Sequence, residues 1–289
     1  ANQVAFALEG CIDELCKQGG FDRWQFRYDN ALCEGKMTAT GQILQRGVGV
    51  KETLLAIKPY YDSACFKGLA CGIKNSGVGN GMADFSDVII EIKSENKVIL
   101  HHGWTEMGQG VHTIATQVLY EETGISPGIV EVIVDSIAGI PTGMTTSSRA
   151  TALLGNAIVD ASKHIREDLK NKSLHDLAGK TYTGNYTCNW TTKPGADVKE
   201  IITHFAYGYA AQLVVLDEKG EIETVYAAHD AGKIMNPLMF EGQIEGAVHM
   251  GLGYALSEDL PMVDGQLVST KMRDLKILRA KDMPEVVVL

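Results

Sequence analysis

The sequence lacks the features of several broad classes of protein. Its 31 glycines stand beside only 7 prolines, so the glycines are not linker filler and mark places where backbone approaches something closely. There is no run of about 18 apolar residues, which excludes a helical membrane span. Basic residues are in deficit, 26 Lys and Arg against 36 Asp and Glu for a net charge of −10. That argues against a protein whose main business is nucleic-acid phosphate or anionic lipid. The six cysteines form no CxxC pair or regular framework, and no signal peptide precedes them. They read as ordinary buried thiols of a reducing, cytoplasmic setting. No HxH or HxxxH pair supports a metal site, since His101-His102 would point to opposite faces of a strand. A hydrolase has no GxSxG nucleophile to stand on.

What is present is an ordinary globular composition, 45% apolar and 21% charged over 289 residues, which excludes wholesale disorder. Apolar spacing predicts helices over 2–17, about 22–32 and 51–64. From Lys67 the pattern changes to crowded glycines, then to a hairpin, 86–92 with 97–101, across Ser94-Glu95-Asn96. A helix over 111–122 ended by Gly124, a strand over 130–135 and a helix over 151–171 follow, and 172–200 reads as an irregular connection. A second hairpin spans 204–229, and 243–256 reads as a glycine-spotted helix buried on most sides. The last residues, Met283–Leu289, read as a strand just beginning or ending. Helices and hairpins mix without a βαβ alternation, so the fold class is α+β. The expected division is a helical lead-in, 1–66, and a main body, 67–289. Neither end looks like a natural tail, and a segment of a longer polypeptide is expected.

Three clusters could carry chemistry. In Gly103-Trp104-Thr105-Glu106-Met107-Gly108-Gln109-Gly110-Val111-His112-Thr113 a strand turns into a helix, which is expected to leave free amides pointing outward beside the Gln109 amide. The plainer reading is a tight turn with Gln109 on the surface. In Thr145-Thr146-Ser147-Ser148-Arg149, four hydroxyls and a forked cation at a helix start suit phosphate, while a plain Ser/Thr cap needs only one hydroxyl. The third runs from Asp230-Ala231-Gly232 through Asn236-Pro237 to Gln243 and Glu245, polar residues in an apolar segment that either tie down backbone or face a polar ligand. The string Gly77-Val78-Gly79-Asn80-Gly81 has glycines like those of a dinucleotide loop. It fails on context, because a strand rather than a helix follows it.

Taken in order, Glu106-Met107-Gly108-Gln109-Gly110-Val111-His112-Thr113, Thr145–Arg149 with Gly155-Asn156-Ala157, Asp230-Ala231-Gly232 through Asn236-Pro237 to Gly242-Gln243-Ile244-Glu245-Gly246, and Gly251-Leu252-Gly253 resemble the large subunit of molybdenum hydroxylases, the xanthine dehydrogenase and aldehyde oxidoreductase family. The opening, with Ile12-Asp13-Glu14-Leu15 and Arg27-Tyr28-Asp29-Asn30, is similar to the helix after that family's arginine-glycine-phenylalanine-glycine segment. The resemblance implies the second lobe of a molybdopterin-binding domain. It implies that Gly108, Gln109 and Gly110 meet the pterin, that Thr145, Thr146, Ser147, Ser148 and Arg149 grip the phosphates, and that Gln243 hydrogen-bonds the pterin ring. The Ser-Arg and Gly-Asn-Ala pair points to molybdopterin cytosine dinucleotide. Gly79, Asn80 and Gly81 fall where relatives place substrate-pocket residues, and small side chains there imply a more open pocket.

The resemblance implies that the family's general base, a glutamate in a glycine-glutamate motif, lies downstream of the segment that ends at Leu289, so no catalytic residue is assigned here. Iron–sulphur and FAD groups would sit on other domains or subunits, since the cysteines lack their spacing. The implied activity is oxidative hydroxylation of purines, N-heterocycles or aldehydes by the parent oligomer, with this segment inactive alone. The partners expected are the first lobe and a small-molecule substrate, with neither nucleic acid nor membrane. The competing reading is a non-catalytic module that holds the cofactor or serves assembly in a redox-inactive paralogue.

Overall fold

A computed structural model describes residues 2–289. The elements, in chain order, are α1 (Asn2–Gly19), α2 (Arg23–Asn30), α3 (Val50–Ser63), β1 (Phe66–Ser76), β2 (Asp84–Ser94), β3 (Lys97–His101), α4 (Val111–Thr123), β4 (Val130–Ile133), α5 (Ala150–Leu169), β5 (Thr181–Cys188), β6 (Ala206–Leu216), β7 (Ile222–Asp230), α6 (Pro237–Leu256), the short pair β8 (Met262–Val263) and β9 (Gln266–Leu267), and β10 (Glu285–Val288). Helices and largely antiparallel sheets mix, as the α+β reading requires. The chain divides into two compact units. One holds the residues up to Lys36, Leu44–Lys74 and Gly208–Leu289; the other holds Met37–Ile43 and Asn75–Tyr207. The expected boundary at residue 66 is therefore not where packing separates. The lead-in helices pack with the last third of the chain.

In the first unit the sheet order is β1-β6-β7-β10, with β10 parallel to β7. Val225 and Ala227 of β7 bury against Ile244, Val248 and Leu252 of α6, joined by Phe240, Leu278 and Val286. The lead-in helices are fixed by specific contacts. Arg27 is 5% exposed and pairs with Glu9 and Asp13 of α1. Trp24 donates to the Leu54 carbonyl at 2.8 Å, and Tyr60 stacks on Tyr226 with centroids 4.0 Å apart.

In the second unit the sheet order is β4-β3-β2-β5, with β2 antiparallel to both β3 and β5 and β4 parallel to β3. Period-2 alternation buries Val88, Ile90 and Ile92 of β2. Helix α5 buries Leu154, Ala157, Ile158, Ala161 and Ile165 and packs on β5, β2 and α4. Gly184 of β5 lets that helix approach closely: a Cβ there would lie 2.1 Å from the Ala157 carbonyl oxygen.

Both hairpins and the predicted helices form, with ends shifted by a few residues. Besides the short pair β8 and β9, two strands were not expected. β5 lies inside the stretch read as irregular, where Thr and Tyr alternate but Gly184 and Asn185 weaken the pattern; β1 occupies the glycine-crowded stretch. Helix α6 also differs from expectation. It begins at Pro237 and buries only Ile244, Val248, Leu252 and Gly253, leaving Leu238 79% and Met250 65% exposed. Helix α1 likewise buries only Cys16.

Candidate cofactor-binding site

The first motif lies where β3 leaves its sheet. Beyond His101 the chain buries His102 and Trp104, then turns through Gly108 and Gly110, both left-handed, into α4. Three of the amides at this turn are already taken. The Glu106 carboxylate accepts from the amides of Gly108 at 2.9 Å, Gly110 at 2.8 Å and His112 at 3.3 Å. Burial pushes this carboxyl up, but the three amide donors outweigh it and hold the group below its ordinary range. Gln109 turns onto its own loop: its Oε1 accepts from the Met107 amide at 2.6 Å, and its Nε2 donates to the Thr105 carbonyl at 2.8 Å.

The second motif meets the first directly, since the Thr105 amide donates to Thr145 Oγ1 at 2.9 Å. Thr146 and Ser148 are exposed, and Ser147 and Ser148 both hold positive φ, 54° and 50°. Arg149 does not stand out toward a phosphate as expected. It is 5% exposed, ion-paired with Asp84, bonded to the carbonyls of Thr142 and Met144, and lies 4.9 Å over the Trp104 ring. The reason is electrostatic: the buried Asp84 carboxylate needs a counter-charge, and the guanidinium fork meets it and two carbonyls at once. Trp104 in turn donates to Ser86 Oγ at 2.9 Å.

The glycine string joins the same cluster. The Gly77 amide donates to the Ser147 carbonyl at 2.9 Å, and the Val78 amide to Asp84 Oδ2 at 3.0 Å. The expected openness at Gly79-Asn80-Gly81 is not what the small side chains serve. At Gly79, φ is +61°, and a Cβ would stand 2.2 Å from the Thr203 carbonyl oxygen and 2.4 Å from His204 Cδ2. The segment around Thr203 has filled the space, with the Asn80 amide bonded to the Thr203 carbonyl at 2.7 Å. Asn80 is half-buried and Gly81 exposed.

The third motif lies in the other unit. Asn236 caps α6 by accepting from the Met239 amide at 3.1 Å, with Pro237 in the first turn, as its sequence predicts. Gln243 and Glu245 are on the exposed side of that helix. The fold thus brings together Gly77–Gly81, Thr105–Gly110 and Thr142–Arg149, and places Gln243 on a separate unit.

Sequence reasoning did not assign Asp84, Trp104 or Glu106 a part. Asp84 lies 65 residues from Arg149 and carries no local signal. Glu106 did carry one, a carboxylate two residues before a Gly-x-Gly turn that opens a helix. Below the turn, the His102 and His112 rings lie 5.2 Å apart. Among the described residues, their Nε2 atoms are buried without hydrogen-bond partners. His102 Nδ1 accepts from the Trp104 amide at 3.1 Å, so its proton sits on Nε2 when the ring is neutral.

Comparison with known proteins places the chain in a family. A probable xanthine dehydrogenase subunit of Bacillus subtilis is 24% identical over 98% of this chain and 44% of its own length. An aldehyde oxidoreductase of Megalodesulfovibrio gigas is 25% identical over 90% of this chain and 32% of its own. The chain therefore spans less than half the length of these relatives. Among solved structures, the aldehyde oxidoreductase of Desulfovibrio desulfuricans superposes with a TM-score of 0.78 at 24% identity, over all of this chain and 35% of that one. Quinoline 2-oxidoreductase of Pseudomonas putida gives 0.79 at 18%, over 99% and 44%. The molybdopterin cofactor-binding domain family matches residues 66–181 and 171–284, and the chain belongs to it.

Proposed function

We propose that this chain provides one lobe of the cofactor site of a molybdenum-dependent oxidoreductase of the xanthine dehydrogenase and aldehyde oxidoreductase type. The observation that carries the reading is the convergence of the first two motifs, Thr105–Gly110 and Thr142–Arg149, with the glycine string Gly77–Gly81 into one hydrogen-bonded cluster, in a chain of the molybdopterin-binding family. The donor set of this cluster fits a pterin with a phosphate tail: the amide side chain of Gln109 suits a heterocycle with several hydrogen-bonding edges, and the exposed hydroxyls of Thr146 and Ser148 suit phosphate oxygens. Gly108, Gln109, Gly110, Thr145, Thr146, Ser147 and Ser148 are the residues of this unit proposed to hold it. Arg149 contributes by bracing its loop from inside, because its guanidinium is committed to Asp84 and two carbonyls. When bound, the molybdenum cofactor supplies the oxidation–reduction chemistry; this chain binds and orients it.

Several finer points belong to the same reading. The cofactor is the cytosine dinucleotide form, and substrate contact at the glycine string falls to Asn80 and Gly81. The chain acts as a second lobe beside a first lobe, in a cytoplasmic oligomer whose iron–sulphur and FAD groups sit on other domains or subunits. The substrate class is purines, N-heterocycles or aldehydes. No helix among the described residues is long and apolar enough to cross a membrane.

The decisive experiment is elemental mass spectrometry for molybdenum on the protein that carries this chain, purified from its native host. Stoichiometric molybdenum is expected. Its absence from protein made in molybdate-replete cells overturns the reading in favour of a module without redox chemistry.

A further inference from the structure

A helix opens with amides that have no intrahelical partner, and α4 opens at Gly110, a left-handed residue whose position offers no side-chain cap. Glu106 supplies acceptors for two of these amides and for one in the turn before them. Its Oε1 accepts from both Gly108 and Gly110, and its Oε2 from His112. The same turn closes a second ring through Gln109, which accepts from Met107 and donates to Thr105. Thr105 is itself bonded to Thr145 of the neighbouring loop. Carboxylate, amide side chain and second loop thus share one stretch of backbone, and its course is fixed where Glu106 ties three amides.

We propose that Glu106 is the positioning residue of the Gly108-Gln109-Gly110 turn: its carboxylate fills the amino-terminal end of α4 from within, so that this end takes no external anion and Gln109 is held in place for the cofactor. The proposal rests on the reading of Gln109 as a cofactor contact. The chemistry favours glutamate over glutamine. The turn needs acceptors on both side-chain oxygens, and a negative charge suits the positive end of the helix dipole. The anionic end of a ligand would have to be met elsewhere, at the hydroxyls and amides of Thr145–Ser148.

The test compares wild type, Glu106→Ala, Glu106→Gln and Gln109→Ala in the full protein that carries this chain. Two quantities are read: hydrogen exchange resolved at the amides of Gly108, Gly110 and His112, and molybdenum and pterin content per chain. Glu106→Ala is expected to speed exchange at all three amides by about tenfold or more, and to lower cofactor content to the level of Gln109→Ala. Glu106→Gln keeps an oxygen for Gly108 and Gly110, so it is expected to speed exchange at His112 alone and to retain the cofactor. Unchanged protection in Glu106→Ala overturns the proposal. So does lost protection with full cofactor content, when Gln109→Ala has lost its cofactor. Full content in Gln109→Ala instead overturns the reading of Gln109 as a contact, and so separates that failure from the other. Should Glu106→Ala also lose protection along β2, it has not folded, and Glu106→Gln decides. Selective loss at His112 supports the proposal, and wild-type protection there defeats it.

Discussion

His102 shows how one residue ties the site to the core. It is 1% exposed, and burial, reinforced by the neighbouring His112, pushes its imidazole down to about 4. The unfolded chain returns the ring to an ordinary histidine value, so between that value and 4 the unfolded state binds the extra proton. Stability therefore falls as pH drops from about 6.5 toward 4 and this contribution levels off below, the full difference being about 3 kcal/mol. Urea unfolding midpoints measured across that window should show the slope in wild type and lose most of it in His102→Gln. Equal slopes would mean that the ring is solvated or paired in solution. Arg149 teaches a related lesson. An arginine among hydroxyls at a helix start looks like a phosphate ligand, yet a buried carboxylate claims it first, because an unpaired buried charge costs more than an exposed arginine gains.

At the scale of elements, α5 and β5 approach closely in the second unit. The Cβ of an alanine at 184 would meet the Ala157 carbonyl oxygen at 2.1 Å and the Ala161 amide nitrogen at 2.6 Å. Neither atom can rotate away, so helix and strand must separate. Gly184→Ala is expected to destabilise the protein by about 3 kcal/mol through overpacking, measured as a lowered denaturation midpoint with unchanged dependence on denaturant. A loss within about 0.5 kcal/mol, the usual range for a surface site, would show that α5 is free to shift. Since α5 begins at Ala150, immediately after Arg149, this contact also helps hold the candidate site's second loop in place.

For the molecule as a whole, the exposed apolar surface calls for explanation. Helix α6 is apolar on nearly all sides but buries one, and in α1 Phe6 stands 82% exposed. Between these helices lies a groove of about 510 Å³ lined by Ala5, Phe6, Leu69, Val248 and Gly251. A helix apolar all round is normally covered, and apolar patches of this extent mark interaction surfaces. The isolated chain is expected to self-associate, with a sedimentation-average mass that rises with concentration. A monomer that persists over a hundredfold range, about 3 kcal/mol of association free energy, would rule this out.

The sequence alone determined the local elements and the cofactor family. The period-2 run in β2, period-3.6 spacing in α5, and capping at Asn236-Pro237 are set by residues within one or two turns of each other. The motif residues are legible because a Gly-x-Gly turn and a hydroxyl-rich helix start have their own chemistry. The tertiary structure decided who satisfies that chemistry. Asp84 reaches Arg149 across 65 positions, Thr203 fills the space that Gly79 leaves, and the lead-in helices join a sheet made largely from the far end of the chain. Each of these is a long-range pairing in which burial raises the cost of an unmatched polar group or an empty space, and that cost exists only once the chain has folded.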